Sequence, residues 1–185
     1  MDDTWETLVR AAEGAALAGE GGVRPHEPKA AVLCCSDARV PPSLLFDQPP
    51  GSLFVIRFAG NTASPPAVAS LDYAVEHLGV PLIVVLGHTS CGAVDAAMQG
   101  VCCGSATAIT GPICDIVDRY PDADADAISI RNVQAVMAAL AANPGPTGEA
   151  LRAGRLQIRG AVHDLSAGHL VAVDPNSDPR TMERT

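Results

Sequence analysis

The residues that decide the fold run from 53 to 86 and read LFVIRFAGNTASPPAVASLDYAVEHLGVPLIVVL. The two ends of this stretch, residues 53–57 and 82–86, are short apolar runs, which are typical of buried strands. A helix is predicted between the two runs, and Gly79 and Pro81 mark its end. That helix is predicted because apolar side chains recur every three or four residues, at Val68, Leu71, Val75 and Leu78. A strand, a helix and a strand in this order predict a βαβ unit and therefore a parallel sheet.

The flanking sequence adds strands on both sides of this unit. Residues 29–34 (KAAVLC) are another short apolar run and predict a buried strand. Residues 155–159 (RLQIR) alternate polar and apolar side chains, which predicts a half-exposed edge strand. A turn at 166–168 then predicts a hairpin that returns through 170–173. We therefore expect an α/β fold with a mostly parallel central sheet flanked by helices and an antiparallel edge strand or hairpin near the C-terminus.

Two further helices complete the predicted elements. Residues 5–18 are rich in alanine and glutamate and predict a helix near the N-terminus. A second helical spacing begins after Ser129, which is placed to cap it, and includes Ile130, Val133, Met137 and Leu140. The expected organisation has three parts: an N-terminal helical arm (1–24), an α/β domain (25–174) and a polar C-terminal tail (175–185).

The composition argues against several classes of partner. The chain has 185 residues, of which 48% are hydrophobic and 18% charged, so it can form a sizeable core. Its 12 basic and 21 acidic residues give a net charge of −9, which argues against binding of nucleic acid or an anionic membrane surface. No apolar run approaches the ~18 residues that a membrane span needs.

The N-terminus and the cysteines bear on the compartment. Residues 1–6 (MDDTWE) are acidic and lack the basic-then-apolar order of a signal peptide, so we expect a cytoplasmic, reducing location. In such a location the six cysteines are expected not to form a disulfide framework. Metal binding or catalysis is the better interpretation for some of them.

Two polar segments follow predicted strands and carry the chemistry. CSDAR (35–39) comes after the first strand, and HTSCG (88–92) comes after the run at 82–86. Because the carboxyl ends of parallel strands meet at one edge of a sheet, Cys35, His88 and Cys91 are expected to converge there. Two thiolates and one imidazole suit a tetrahedral zinc ion whose fourth position stays open, which is the catalytic arrangement.

Asp37 and Arg39 lie two residues apart on the turn after Cys35. We expect a charge-assisted pair in which Arg39 holds Asp37 ionised, as an acceptor for a metal-bound water or hydroxide. Gly92 follows Cys91 and lets the backbone approach closely, because it has no Cβ atom.

The other cysteines and histidines give weaker signals. Cys34 ends a buried strand and is interpreted as a small apolar residue. Another possible metal cluster contains Cys102, Cys103 and Cys114, but the two adjacent cysteines would point apart and no histidine lies near them. No role is assigned to His77, His163 or His169.

Five motifs follow one another along the chain: CSDARV (35–40), GSLFVIRFAGN (51–61), SLDYAVEHLGV (70–80), LGHTSCGAV (86–94) and RLQIRGAVHDLSAGHL (155–170). In these motifs, and over residues 28–173, the chain resembles the β-class carbonic anhydrases. The resemblance implies zinc held by Cys35, His88 and Cys91. It also implies that Asp37 and Arg39 act as a catalytic dyad.

The resemblance further implies an activity, a pocket and an assembly. The activity is the reversible hydration of CO2 to bicarbonate and a proton, by attack of zinc-bound hydroxide. The substrate pocket is apolar and lies at a dimer interface, and the chain forms a homo-oligomer, either a dimer or a tetramer. Phe54 and Tyr73 match the aromatic residues of this pocket, and Gly92 is assigned to it as well. Ala59 is a fourth pocket position, where a larger aliphatic residue such as valine often stands. Arg57 matches an arginine that helps some members to hold a non-catalytic bicarbonate.

Three positions depart from the family pattern. Phe58 replaces a usual asparagine, His26 stands where many plant-type members have glutamine, and Val32 replaces a tryptophan of the allosteric members. Two alternatives therefore stay open: hydrolysis of carbonyl sulfide or carbon disulfide at the same site, and a catalytically weak module that binds zinc or bicarbonate. A nucleotide-binding domain is disfavoured, because no Gly-x-Gly-x-x-Gly follows the first strand.

Overall fold

A five-stranded sheet lies at the centre of the computed structural model, which describes residues 4–13 and 25–179. Its strands are β1 (Ala30–Cys34), β2 (Leu53–Arg57), β3 (Leu82–His88), β4 (Gln157–Asp164) and β5 (His169–Val173). In space they lie in the order β2-β1-β3-β4-β5. The first four are parallel, and β5 returns antiparallel to β4. The carboxyl ends of β1 and β3 are therefore neighbours.

Helices cover one face of the sheet and its carboxyl edge. The helices in the described ranges are α1 (Thr4–Glu13), α2 (Pro42–Leu45), α3 (Pro65–His77), α4 (Gly92–Met98), α5 (Thr107–Arg119), α6 (Ala125–Ala141) and α7 (Pro146–Arg152), and those that cover this face and edge are α3 to α7. The apolar sides of α3, α6 and α7 bury Leu33, Ile83 and Val85 of the sheet. Helices α4 and α5 pack against each other and against α6. The connection after β3 is thereby held over the carboxyl end of the sheet.

The opposite face of the sheet is covered less completely. Alternate side chains of a strand point to opposite faces, so Val32 and Leu86 point away from α3 and α6. They are fully buried, in contact with residues near α2 such as Phe46. Val55 is the register partner of Val32 on β2, yet it remains 37% exposed. We call this side of the sheet the open face.

The expected α/β fold is confirmed, and two local predictions are wrong. Strand β4 pairs with both β3 and β5, so residues 155–159 do not form the edge strand. Only the first half of β4 is exposed on alternate residues, and that half produced the misleading pattern. Ser129 does not cap α6, because the helix begins four residues earlier, where the Asp124 carboxylate accepts from the Ala127 N–H at 2.8 Å.

The terminal parts of the chain are described only in part. Residues 14–24 and 180–185 lie outside the described ranges, so the end of the predicted N-terminal helix and most of the tail are not tested. The division into arm, domain and tail stays a prediction. Gln134 donates to the carbonyls of Asp174 and Ser177, which ties the start of the tail to α6. Across residues 4–13 and 25–179, every helix is too short or too polar to cross a membrane.

One pair of cysteines departs from the expected free thiols. Cys102 and Cys114 form a disulfide, with their Cα atoms 6.1 Å apart. While this bond is closed, neither sulfur is available as a thiolate for the alternative metal cluster. The sequence could not indicate this pair, because the loop after α4 meets α5 only in the folded structure. The other four cysteines are free, namely Cys34, Cys35, Cys91 and Cys103.

Candidate metal centre

Three donor atoms converge at the carboxyl edge of the sheet. Cys35 directly follows β1, His88 is the last residue of β3, and Cys91 immediately precedes α4. One ligand atom from each lies within 4.8 Å of the other two, and all three residues are buried. The expected convergence of these residues is therefore observed. This spacing suits a metal ion placed between them.

The ring of His88 is oriented so that one nitrogen faces the cluster. Its Nδ1 lies 2.9 Å from the carbonyl oxygen of Thr89, so we assign the ring proton to Nδ1. The remaining nitrogen, Nε2, is buried and has no hydrogen-bond partner in the described part of the chain. An unpaired buried lone pair is costly, and a cation coordinated there would satisfy it. Burial lowers the pKa of His88, but the nearby Cys35 sulfur and the hydrogen bond to Thr89 raise it, and the net shift is upward.

The two thiols favour one negative charge and resist a second. The interaction with the neighbouring Cys91 thiol lowers the pKa of Cys35 to about 4, against the opposing effect of burial. The same interaction, together with burial, raises the pKa of Cys91. The thiolate form is thus favoured at Cys35, and Cys91 keeps its proton. A divalent cation placed there would replace this proton and stabilise both thiolates.

A glycine supports the sulfur of Cys35 from the neighbouring connection. The N–H of Gly60 lies 3.4 Å from this sulfur and donates to it. Gly60 has a φ of +67°, and a Cβ atom there would lie 2.8 Å from Cδ1 of Ile113 and 3.1 Å from Cβ of Ala93. Only glycine therefore suits the position, and Ala59 is placed beside the cluster as its chain neighbour.

Asp37 and Arg39 form the expected ion pair next to the donors. Nε and Nη2 of Arg39 donate to the two carboxylate oxygens of Asp37 at 2.9 and 2.7 Å. Nη2 also donates to the carbonyl of Ser90 at 3.1 Å, which orients the guanidinium. Hydrogen bonding from Arg39 holds the pKa of Asp37 well below its usual range. The carboxylate is therefore ionised, with Oδ2 at 4.0 Å from Nε2 of His88.

Arg57 has a role that the sequence analysis did not predict. Its Nε donates to the carbonyl of Cys35 at 3.1 Å, and its Nη2 donates to the carbonyl of Asp37. The side chain therefore holds the backbone of the loop that carries both residues. The only sequence signal for this contact is that Arg57 ends the apolar run 53–57. In the structure this position is in register with Cys34, the residue before Cys35.

The matched aromatic residues lie away from the donors of the same chain. The rings of Phe54 and Tyr73 have centroids 6.2 Å apart, and His26 stacks on Phe54 at 6.1 Å. In the sheet, Phe54 pairs with Ala31, four residues before Cys35 and roughly 13 Å away along the strand. Tyr73 is 50% exposed. One chain thus does not bring this aromatic group (His26, Phe54 and Tyr73) to its own donor cluster.

The remaining predicted positions are accounted for as follows. Gly92, the first residue of α4, is exposed, and a Cβ atom there would contact nothing within 4 Å. Steric space for the backbone therefore does not require glycine at this position. Cys34 is fully buried on the open face, and burial raises its pKa to about 11, which fits an uncharged apolar thiol. His163 and His169 each carry one buried ring nitrogen without a hydrogen-bond partner among the described residues.

Comparison with known proteins decides the family. The sequence model of the family described as carbonic anhydrase matches residues 30–170, which is most of the chain. The chain belongs to the carbonic anhydrase family. Carbonic anhydrase 2 of Mycobacterium tuberculosis is 35% identical over 159 residues, covering 80% of this chain and 76% of that protein. A carbonic anhydrase of Pseudomonas aeruginosa is 39% identical over 163 residues, covering 80% of this chain and 74% of that protein.

Solved structures place the chain in the β class of carbonic anhydrases. The β-carbonic anhydrase CafA of Aspergillus fumigatus superposes with a TM-score of 0.80 at 25% identity, covering 98% of this chain and 95% of that one. A tetrameric β-carbonic anhydrase of Sordaria macrospora gives a TM-score of 0.75 at 26% identity, covering 93% and 92%. The family and fold that the motifs indicated are confirmed. This carbonic anhydrase is an enzyme that, by its family, acts on CO2.

Proposed function

We propose that the chain catalyses the reversible hydration of CO2 with a zinc ion held by Cys35, His88 and Cys91. The observation that carries the proposal is the buried donor cluster, whose unpaired Nε2 lies 4.0 Å from the ionised Asp37. A zinc ion in such a set lowers the pKa of a water molecule and supplies a nucleophile near neutral pH. Three protein donors leave a fourth position for that water.

Each polar residue around the cluster has a separate task in this proposal. The carboxylate of Asp37 accepts a hydrogen bond and thereby orients the attacking oxygen. Arg39 keeps Asp37 ionised and fixes its rotamer through two donated hydrogen bonds. Arg57 and Gly60 act on the framework, because they hold the loop carbonyls and the sulfur of Cys35.

The substrate pocket is proposed to be completed by a second copy of the chain. The aromatic group is distant from the donors of its own chain, and His26 and Tyr73 in it are exposed. The open face also leaves Val55 and Leu44 exposed. Pairing two open faces would bury these apolar side chains. Phe54 points to the other side of the sheet from Val55, but both residues lie on β2, which is the edge strand. A second copy that also packs along this edge would reach His26, Phe54 and Tyr73 and place them towards its own donor cluster. The number of copies in solution, two or four, is part of this proposal.

A charge placed on the open face is expected to separate the copies. Val55→Glu would bury an unpaired carboxylate in the interface, so we expect monomers at micromolar concentration by sedimentation equilibrium. Turnover is expected to fall at least about tenfold while zinc content is kept, because the pocket loses its aromatic group. Val101→Glu is the matched control, since Val101 is an exposed valine on the loop after α4. An oligomer of unchanged size in Val55→Glu would contradict the proposed interface.

The proposed activity is tested by metal analysis together with stopped-flow CO2 hydration on the wild-type protein. We expect one zinc ion per chain and turnover that rises from pH 7 to 9. Two thiolates donate more charge to the ion than imidazoles do, which holds the activating pKa on the alkaline side of an all-histidine site. Carbonyl sulfide and carbon disulfide are assayed in parallel. Faster turnover of either would favour the hydrolase alternative, and bound zinc without any turnover would favour the binding module.

The compartment is also part of the proposal. The free thiols of Cys35 and Cys91 at the proposed metal site favour the cytoplasm, where thiols are kept reduced. Fractionation of cells that express the untagged chain tests this directly, with the chain expected in the cytosolic fraction.

A further inference from the structure

The disulfide lies in the layer of residues that surrounds the donor cluster. Cys102 and Cys114 belong to one buried apolar cluster with Cys35 and Cys91. Cys102 is on the loop after α4, and Cys114 is in the middle of α5. The bond therefore fastens two elements that pack against each other beside the proposed metal site.

Both sides of the bond lead by short routes to a donor residue. On one side, the loop with Cys102 follows α4, whose first residue comes immediately after Cys91. On the other side, Ile113 precedes Cys114 and packs against Gly60, whose N–H donates to the sulfur of Cys35. A change in the packing of α5 against the loop after α4 would therefore alter the positions of two of the three donors, Cys91 and Cys35.

The two sulfur atoms differ in their access to solvent. Cys114 is only 6% exposed, whereas Cys102 is partly exposed at the surface of the same cluster. The neighbouring Cys103 is free and exposed. Thiol–disulfide exchange requires an attacking thiolate to reach one sulfur along the S–S axis, so Cys102 is the accessible point of attack.

We propose that the Cys102–Cys114 pair is a thiol–disulfide exchange site whose state sets how firmly the framework holds the metal. The reacting partner is a dithiol reductant in one direction and a small disulfide, such as glutathione disulfide, in the other. The inference depends on the metal site proposed above, but neither the bond nor its effect on stability requires turnover.

The exchange balances without any further reactant. A thiolate of the dithiol attacks Sγ of Cys102 and forms a mixed disulfide, while the Cys102–Cys114 bond breaks and Cys114 leaves as a thiolate that takes up a proton. The second thiol of the reductant then attacks the mixed disulfide and releases Cys102 as a thiol. The reductant ends as a disulfide and the protein gains two thiols. Glutathione disulfide reverses the sequence and is reduced to two molecules of glutathione.

The redox state of the compartment would determine whether this bond is open or closed. In a reducing cytoplasm the pair rests as two thiols, and the bond closes when the compartment becomes oxidising. Closing it cross-links α5 to the α4 loop and removes conformations from the unfolded chain. Oxidation would therefore tighten the framework around Cys35 and Cys91 and slow loss of the metal.

The test compares the zinc-loaded wild-type protein after treatment with glutathione disulfide and after treatment with a phosphine reductant. Alkylation in denaturant with chelator is expected to count four free thiols in the oxidised form and six in the reduced form. Thermal unfolding is expected at a temperature roughly 5–15 °C higher in the oxidised form. Zinc transfer to a chromogenic chelator is expected to be about tenfold slower in the oxidised form, in the range of other changes to residues behind metal ligands.

Two variants separate this site from the other thiols. The double variant Cys102→Ser and Cys114→Ser is expected to show no response to either treatment, whereas Cys103→Ser is expected to respond like the wild type. Six free thiols after oxidation, or equal unfolding temperatures and zinc-release rates in the two forms, would overturn the proposal. A redox response that persists in the double variant would also overturn it, because the response would then come from the donor cysteines themselves.

Discussion

Cys35→Ala is expected to remove bound zinc and CO2 hydration together, whereas Cys34→Ala, one residue earlier, is expected to keep both. Sγ of Cys35 lies in the donor cluster, accepts from the Gly60 N–H and is thiolate-like, with its pKa lowered to about 4. Sγ of Cys34 is buried on the open face, and its pKa is raised to about 11. The two substitutions delete the same atom from adjacent buried positions, and they differ in whether that atom faces the metal.

The expected effect on metal binding is large. Zinc contributes ~10–16 kcal/mol in four-ligand Cys/His sites, so the loss of one ligand corresponds to on the order of 3 kcal/mol, or at least about a hundredfold in affinity. Turnover is expected to fall to the rate of the metal-free protein. Zinc per chain after dialysis against a weak chelator and stopped-flow hydration measure the two quantities.

The control variant, Cys34→Ala, separates loss of a coordinating sulfur from loss of packing. Both variants lose a buried sulfur and are expected to be destabilised by a similar ~1 kcal/mol in the metal-free state, measured by urea unfolding. Full zinc occupancy in Cys35→Ala would contradict the proposed ligand set. Equal loss of zinc in Cys34→Ala would mean that packing around β1, rather than a coordinating sulfur, controls metal retention.

The strands and the donor loops could be predicted because their information is local. The continuous apolar run of β3 is too short to span a membrane, so it predicts a buried strand or helix segment, and its length and flanking residues favour a strand. Parallel pairing then forces the loops after β1 and β3 to one edge of the sheet. Cys35, His88 and Cys91 follow from this topology without any knowledge of side-chain contacts.

Two helices could not be predicted because local signals oppose them. Helix α5 contains Gly111 and Pro112, which disfavour a helix interior by ~1 and ~3 kcal/mol. Its buried face, which includes Ile113 and Ile116, compensates through contacts that no sequence window shows. Helix α7 begins at Pro146, directly after Asn143, Pro144 and Gly145, a run that locally favours a break in a helix. Proline is nevertheless well suited to the first turn of a helix.

The parts of the site that were missed depend on contacts between distant segments. Arg57 reaches carbonyls about twenty residues away, and the Gly60 N–H meets a sulfur from another loop. The motif match for Phe54 was residue by residue and carried no information on which chain's site it serves. Strand register shows that Phe54 is distant from the donors of its own chain, because it pairs with Ala31 rather than with a residue near Cys35.

Asp37→Asn is expected to keep zinc and to lose most of the turnover, by about 10²–10⁴-fold. The substitution is nearly isosteric, so the side chain can still accept from Arg39 through one oxygen. It replaces the other oxygen with an amide that donates, and it removes the negative charge that Arg39 stabilises at 2.7 Å. In the proposed reaction this side chain must accept a hydrogen bond from the attacking oxygen, and the NH2 group of asparagine can only donate one. The measurements are zinc per chain and kcat from stopped-flow hydration.

Comparison with Arg39→Gln distinguishes the charge of Asp37 from its orientation. In Arg39→Gln the carboxylate remains, but it loses the two hydrogen bonds at 2.9 and 2.7 Å that hold its rotamer. We therefore expect a smaller loss of kcat than in Asp37→Asn, about 10-fold to 10²-fold, again with zinc retained. If the two losses were equal, orientation alone would account for the role of Asp37. If zinc were lost from Asp37→Asn along with turnover, the carboxylate would belong to the metal-binding set, and the assignment of Asp37 as a hydrogen-bond acceptor in the reaction would be wrong.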